Sequence, residues 1–580
     1  MLTETIAAPH TSGRTTQSPT GQPELDRTVA RLQEGAGTFV RLSLSDRIAL
    51  ARAMQAGYLQ IAKRSVRAGC EAKGIPPGTP MEGEEWATGP WSVIRQLRLV
   101  AESLEALALT GNTPIGAVGW TDDGRLKARL FPANRVDQVL FSGIVVDVRF
   151  QAGIDEERMR NARGSYYKGA PGPGGTVLVL GAGNIAAIPP MDVITKLFNE
   201  GKVCLLKMNP VNAYLGPFIE AAFAEPIRRG FLAVVYGGAE VGTYLAQHKG
   251  IDEIHLTGSD RTYDQIVWGP PGPEREARKA RNAPVIAKPV TAELGNVSPV
   301  LVVPGPYSDR ELAFQAESIA GAVAMNASFL CNSPKMLITA KGWSGRASLL
   351  AALERAFALA PLRRAYYPGA EERWRDLTGG RRGSRTIGTA GPGQLPWTII
   401  PGLDATDSRE RAFSTEPFCA IVSETEVGSD DPVEFLERAV EFANNRLWGT
   451  LSADLVIHPK AMKDPRIAEA AERAIARLRY GAVGVNSWAG FVFPYATPPW
   501  GAYPGSTPAD IQSGTGWVHN TAMLEGMEKA VLRHPLTIMP KPASFPSHRT
   551  AHTLLRRLTS LEERASWARV PGVVAAAMRG

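Results

Sequence analysis

The feature that most constrains the fold is an alternation of short apolar runs with helix-patterned stretches between residues 176 and 257. The runs are Thr176-Val-Leu-Val-Leu180, Val203-Cys-Leu-Leu-Lys207, Leu232-Ala-Val-Val-Tyr236 and Glu253-Ile-His-Leu-Thr257. They are apolar on both faces and too widely spaced for hairpins, so they predict parallel strands covered by helices on both sides. The fold class is therefore α/β, with a nucleotide site expected at the carboxyl ends of the strands.

With 580 residues, 44% of them apolar and 21% charged, the chain has material for two or three domains with real cores. Lys and Arg number 64 against 57 Asp and Glu, a mixed surface that predicts no nucleic-acid partner. Part of the basic excess is local: residues 541–580 carry seven basic and two acidic side chains. Cys70, Cys204, Cys331 and Cys419 lie far apart without metal-ligand spacing, so neither a disulfide framework nor a bound metal is predicted. A reducing, cytoplasmic setting fits them. Met1 to Pro23 is rich in Thr, Ser, Pro and Gly and predicts a frayed start, and no apolar run reaches the length of a transmembrane segment.

Gly181-Ala-Gly183-Asn-Ile-Ala186 follows a strand and mimics a dinucleotide fingerprint. A helix beginning inside it would carry Pro189 and Pro190 in its second turn, where each missing donor and ring clash costs about 3 kcal/mol. The helix is instead predicted to start at the prolines, leaving a loop that presents Asn184. Thr257-Gly258-Ser259 sits between a strand and a helix, where free N–H groups suit a pyrophosphate, although for the motif alone an ordinary Ser cap is the better reading. The Pro/Gly-rich, charged stretch from Trp268 to Pro289 reads as a surface loop.

Elsewhere, helices are expected from about Leu25, from a Ser43 or Ser45 cap to about Gly69, and from Trp91 to Leu109. Arg125 to Phe150 reads as strands in two runs about Ser142-Gly143, a plausible hairpin. Ser308 can cap a helix leading to Cys331, and strands are expected at 300–303, 335–339, 420–422 and late, at 529–539. Trp488, Phe491, Phe493, Tyr495 and Trp500 form an aromatic loop that fits either an apolar entrance or a plain core cluster. An amphipathic helix is predicted at 553–567 in the basic tail, with a solvated surface favoured over a membrane contact.

Taken in order, these elements resemble the aldehyde dehydrogenase superfamily from about residue 40 to 540. Asn184 stands where that family has its oxyanion asparagine, and Lys207 where it has an adenosine-ribose lysine. Thr257-Gly258-Ser259 resembles its pyrophosphate turn, Glu293-Leu294-Gly-Asn-Val-Ser-Pro its Glu-Leu-Gly-Gly-Lys-Ser-Pro, and Glu416-Pro-Phe418 its nicotinamide-ribose motif. Cys331 follows a helix as the family nucleophile does, preceded by Ser328-Phe329-Leu330 in place of Gly-Gln-x. Val485-Asn486 fits the segment near the substrate mouth.

The resemblance implies two Rossmann-like parallel-sheet domains with a small oligomerisation element. It divides the chain into a disordered 1–24, an NAD(P)-binding 25–292 with an oligomerisation hairpin at 136–150, and a catalytic 293–490. A return segment with an oligomerisation strand (491–540) and the basic extension (541–580) follow. It implies attack by Cys331 on an apolar aldehyde, an oxyanion held by Asn184 and the Cys331 N–H, and water activated by Glu293. Lys207, Thr257, Gly258, Ser259, Leu294, Glu416 and Phe418 are the implied binders of NADP or NAD. A homodimer or homotetramer is implied as well. Met208-Asn209-Pro210 after Lys207, and the Gly181-Ala-Gly183-Asn184 loop, are nearer to acyl-CoA-reducing members, which keeps coenzyme A open as the acyl acceptor. With no carboxylate at 209 or 210 to repel a 2′-phosphate, NADP is expected alongside or above NAD. A dehydrogenase-like scaffold without turnover is the non-enzymatic alternative.

Overall fold

The computed structural model describes residues 17–169, 172 and 174–580. Met1 to Thr16, and with them most of the segment expected to be frayed, lie outside it, as do three residues of the Gly169–Gly175 loop. The expected disorder to residue 24 is corrected at its far end: Thr20 bonds to Tyr236 through backbone and hydroxyl, and a helix begins at Gln22.

The alternating region forms a six-stranded sheet in the order Gly514–Thr515, Val290–Leu294, Glu253–Gly258, Thr176–Leu180, Val203–Lys207, Leu232–Val235. All pairs are parallel except Gly514–Thr515. Every residue of Thr176–Leu180 and Val203–Lys207 is buried, as double-sided covering requires. Strand order reverses between Thr176–Leu180 and Glu253–Gly258, and the crevice at such a reversal is where α/β sheets bind ligands. The loop Gly181–Ala187 opens there, and the helix that follows, Ile188–Phe198, carries its two prolines in the first turn.

The second sheet has eleven strands, in the order Val118–Trp120, Leu126–Phe131, Val145–Phe150, Met527–Arg533, Ala482–Val485, Ser452–Val456, Ser298–Val302, Pro334–Ala340, Ile421–Val427, Trp397–Leu403, Arg385–Ile387. The crossing between sheets occurs at Gly295–Val297, so Glu293 and Leu294 belong to the first sheet and the crossing lies a few residues beyond the expected boundary at 292/293.

Three expectations need correction. The hairpin pairs Leu126–Phe131 with Val145–Phe150, while Arg135–Leu140 is a helix capped by Asn134, which puts Val136 inside and leaves Val139 exposed. The late strand stops at Arg533. It is not an open edge, because Val145–Phe150 and Ala482–Val485 of the same chain flank it. The charged insert contains a helix, Pro273–Ala280, none of whose residues is buried.

The N-terminal helices pack against the first sheet. Leu44–Lys73 starts with a reciprocal cap between Ser43 and Asp46, and Ser92–Thr110 buries nearly a whole face. In the tail, Ala551–Glu563 folds back onto these helices, and Val570–Met578 packs on Ala551–Glu563 and Arg135–Leu140.

Candidate active site

Cys331 is delivered by the helix Asp309–Ala324, which starts with a Ser308–Glu311 capping box. The helix ends in a turn unlike any glycine-bearing one: Asn326, Ala327 and Ser328 all have left-handed backbone, with φ of 52°, 57° and 68°. Such conformations cost non-glycine residues on the order of 1 kcal/mol each and persist only when the surroundings enforce them. The enforcement is visible. The Asn326 N–H donates to Glu84 (2.9 Å), and its amide donates to the carbonyls of Asn184 and Phe329 (both 3.0 Å). Its Oδ1 accepts from Lys73 Nζ (3.0 Å) and faces the Tyr366 hydroxyl (3.0 Å). Lys73 is in turn neutralised by Glu85 at 2.7 Å, both deeply buried. On the other side Lys335 Nζ donates to the Ser328 carbonyl and hydroxyl, both at 3.1 Å. Burial lowers the Lys335 ammonium to about 8. None of Lys73, Glu84, Tyr366 or Lys335 was suggested by sequence, because no motif or spacing links them to residue 326.

The thiol of Cys331 is partly open to a cavity of about 830 Å³. Burial, then the Glu293 and Glu416 carboxyls, push its pKa well above that of an ordinary thiol, while its own backbone N–H and Lys335 pull the other way. The structure thus brings Cys331, Glu293 and Glu416 into one electrostatic neighbourhood. Glu293, on the last parallel strand of the first sheet, accepts a 2.6 Å bond from Trp500 Nε1 on Oε1, and its Oε2 has no partner among the described residues. Burial, and secondarily Asp192, push its carboxyl up to about 8. Of the aromatic loop, Trp488, Phe491, Phe493 and Tyr495 line the cavity, whereas Trp500 is a buried brace for Glu293. Trp488 also fixes the chain beyond the nucleophile by donating to the Asn332 carbonyl at 2.7 Å.

Asn184 is buried beside this turn, and its amide donates to the Phe329 carbonyl at 2.9 Å. It braces the approach to Cys331 with one amide N–H, and the amide has a second N–H to donate. Of the remaining expected site residues, Glu416 lies over Gly295. A Cβ at 295 would come within 2.0 Å of Glu416 Oε2, which is why the strand exit holds glycine. Glu416 Oε1 has no partner among the described residues, and burial raises its carboxyl to about 8. Phe418 sits in the ring cluster of Phe329 and Tyr367, with its carbonyl held by Arg373.

Lys207 is buried at the end of its strand, its ammonium bonded among the described residues to the neighbouring Met208 carbonyl, and burial lowers its pKa. Positions 209 and 210 carry no carboxylate, but Glu240, at the start of the helix Ala239–Gln247, acts electrostatically on Lys207. Thr257 turns its hydroxyl inward to Asp192 (2.9 Å), Ser259 caps the helix Asp260–Val267, and Gly258 and Ser259 are both exposed. The Leu294 side chain is in the core, so its contribution to a cleft is limited to its backbone.

Residues 150–357 match the model of the aldehyde dehydrogenase family. An aldehyde dehydrogenase LUC3 of Fusarium sp is 26% identical over 158 residues, 27% of this chain and 31% of that protein. Geranial dehydrogenase of Castellaniella defragrans is 26% identical over 390 residues, 62% of this chain and 72% of the relative. Among solved structures, an NADP-dependent glyceraldehyde-3-phosphate dehydrogenase from Bacillus halodurans C-125, complexed with NADP, aligns with a TM-score of 0.59 at 17% identity. That alignment covers 88% of this chain and 91% of the other, and shows a shared fold.

Proposed function

We propose that this chain, whose residues 150–357 match the aldehyde dehydrogenase family, is an aldehyde dehydrogenase that oxidises an apolar aldehyde to its carboxylic acid with NADP or NAD, through a thioester on Cys331. The observation that carries this reading is the pairing of a thiol at the end of a largely apolar cavity with a buried carboxylate whose second oxygen is unpaired.

The residues for a dinucleotide fit: an orphaned Glu416 oxygen, the little-engaged Lys207 ammonium and the exposed Gly258 turn all border the carboxyl-end crevice of the first sheet. A bound nicotinamide would supply the two-electron acceptor. The chain's own part is this. The thiol of Cys331 loses its proton, and Glu293 is the acceptor within its electrostatic reach. The thiolate attacks the carbonyl carbon, and the Cys331 N–H, with the second N–H of the Asn184 amide, holds the oxygen. After oxidation, Glu293 takes a proton from water at the thioester, and Trp500 keeps its carboxylate aimed.

Exchange with coenzyme A is the second reading, and one observation favours it. A base raised to about 8 is mostly protonated at neutral pH, which slows water attack. The deciding experiment follows NAD(P)H absorbance with an aldehyde panel, with and without coenzyme A. Turnover without coenzyme A sustains hydrolysis; product only in its presence replaces hydrolysis by acyl exchange; no turnover in either leaves the scaffold reading. Free thiols at all four cysteines suit a reducing, cytoplasmic compartment, and no helix among the described residues is long and apolar enough to cross a membrane. The strands named for the expected homodimer or homotetramer have both edges paired within the chain, so they are closed to edge pairing with a second copy, and sedimentation at micromolar concentration decides the oligomeric state.

A further inference from the structure

The cavity that ends at Cys331 is walled by two distant parts of the chain. One side comes from the nucleophile turn, Ile185, Ile188 and the aromatic loop; the other comes from the basic extension, through Leu554, Leu555 and Leu558 of one helix and Val573 and Ala577 of the next. The extension lies outside the matched family segment. It is nevertheless fastened as core structure. Glu562 is buried and accepts bonds from Arg95 (2.8 Å), from Arg98 (2.8 and 2.6 Å) and from Trp91 Nε1 (3.2 Å), and its carbonyl accepts from Gln55 (2.9 Å). A buried carboxylate shared by two arginines is a point at which removing one partner strands the others. The extension also rests on the helix that carries the nucleophile: a Cβ at Gly321 would lie 2.3 Å from the Ser544 carbonyl oxygen.

We propose that residues 541–580 form the outer wall of the substrate chamber and make the site selective for aldehydes with an extended hydrocarbon body, the carbonyl at Cys331 and the chain against Leu558 and Val573. This rests on the aldehyde chemistry proposed for Cys331 and extends it to the substrate class. The volume suits it: about 830 Å³ is in the upper range of small-molecule pockets and far exceeds what a two- or three-carbon aldehyde fills. The lining suits it too. Among its charged members, Arg363 is paired with Glu84 at 2.8 Å and Lys541 donates to the Ser547 carbonyl and hydroxyl, so neither is presented as a ready partner for a phosphorylated or carboxylated substrate. At the rim Val139, Met539 and Val574 are exposed at 53%, 76% and 42%, apolar surface placed where a hydrocarbon chain enters.

The test is kcat/KM for n-alkanals from propanal to dodecanal. Wild-type protein is expected to gain about fourfold per added methylene while the chain still meets new apolar wall. Leu558→Trp fills the chamber from the tail side and is expected to lower the decanal-to-propanal ratio at least tenfold. Val574→Trp does the same at the rim, where an exposed position tolerates the larger ring without refolding the core. A ratio within twofold of wild type in both variants overturns the proposal, as does an equal loss for both aldehydes. If wild-type protein oxidises no aldehyde, the catalytic reading fails by itself, and calorimetric titration with 1-octanol then decides the chamber. Saturable binding weakened tenfold by either variant sustains the tail's role, and absent or unchanged binding ends it.

Discussion

Burial lifts the Glu293 carboxyl to about 8, and Glu293 in turn helps push the Cys331 thiol up, so the base titrates within the pH range of an assay and the thiol rests protonated. Cys331→Ala removes the nucleophile and should abolish turnover with the melting temperature nearly kept, whereas Cys70, Cys204 and Cys419 should tolerate Ser or Ala. Glu293→Gln keeps the Trp500 bond through its amide oxygen yet cannot accept a proton. If water is the acceptor, the variant should give one burst of NAD(P)H per site and then stall, and wild-type steady-state rate should climb with pH with a midpoint near 8, the deprotonation of a carboxyl lifted by burial. Steady turnover by Glu293→Gln, or a flat profile between pH 6 and 9, would overturn its role. Glu240 sets a second prediction. Its carboxylate acts on Lys207, so a 2′-phosphate brought to that lysine meets a negative charge, and NADP loses the advantage that sequence alone suggests. Glu240→Gln should shift the kcat/KM ratio toward NADP severalfold, an effect that shrinks with added salt because Glu240 is exposed.

At the scale of elements, what could be read from sequence divides by the range of the interaction that builds it. The strands Thr176–Leu180 and Val203–Lys207 were legible because a strand buried on both faces is apolar at every position. The start of Ile188–Phe198 was legible because two prolines fit a first helical turn and no later one. Arg135–Leu140 was misread since Val136, Val139 and Phe141 look like strand residues; its signal was the Asn134 cap, which accepts from the Asp137 N–H at 2.9 Å. The turn before Cys331 was beyond sequence altogether: its supports come from residues 73, 84, 335 and 366, joined only by folding. That support is itself testable. Lys73→Met leaves Glu85 buried without its cation and removes a donor from Asn326, which should cost about 3–5 kcal/mol and slow acylation of Cys331. The double change Lys73→Met with Glu85→Leu should recover much of the stability but not the acylation rate, since Asn326 still lacks its donor. Equal recovery of both in denaturation and single-turnover measurements would show the network to be structural only.

Across the whole molecule, two sheets meet at Gly295–Val297, and the site lies where carboxyl groups from both are withdrawn from water. That 176–257 builds a parallel sheet was legible from its apolar runs. The closure of the eleven-stranded sheet within one chain was not, because pairing of 145–150 with 527–533 is a choice of partner that local pattern does not encode. Withdrawing carboxyls has a thermodynamic consequence. Glu293, Glu416 and Asp454 are each raised to about 8, chiefly by burial. Between their unfolded values near 4 and the folded value near 8, the native state holds protons that the unfolded chain has released, so stability must fall as pH rises through that window. Below pH 4 both states are protonated and the effect vanishes; above about 8 it is complete. Each group contributes on the order of 1–4 kcal/mol across the window. The melting temperature should therefore decline from pH 5 to pH 8. Glu416→Gln, which removes one titrating group while keeping its shape, should flatten the decline and raise stability most at the alkaline end. A melting temperature that rises over this range in wild-type protein, or a Glu416→Gln curve parallel to it, would mean that the site carboxylates are ionised in the folded state and that water or a counter-charge reaches them.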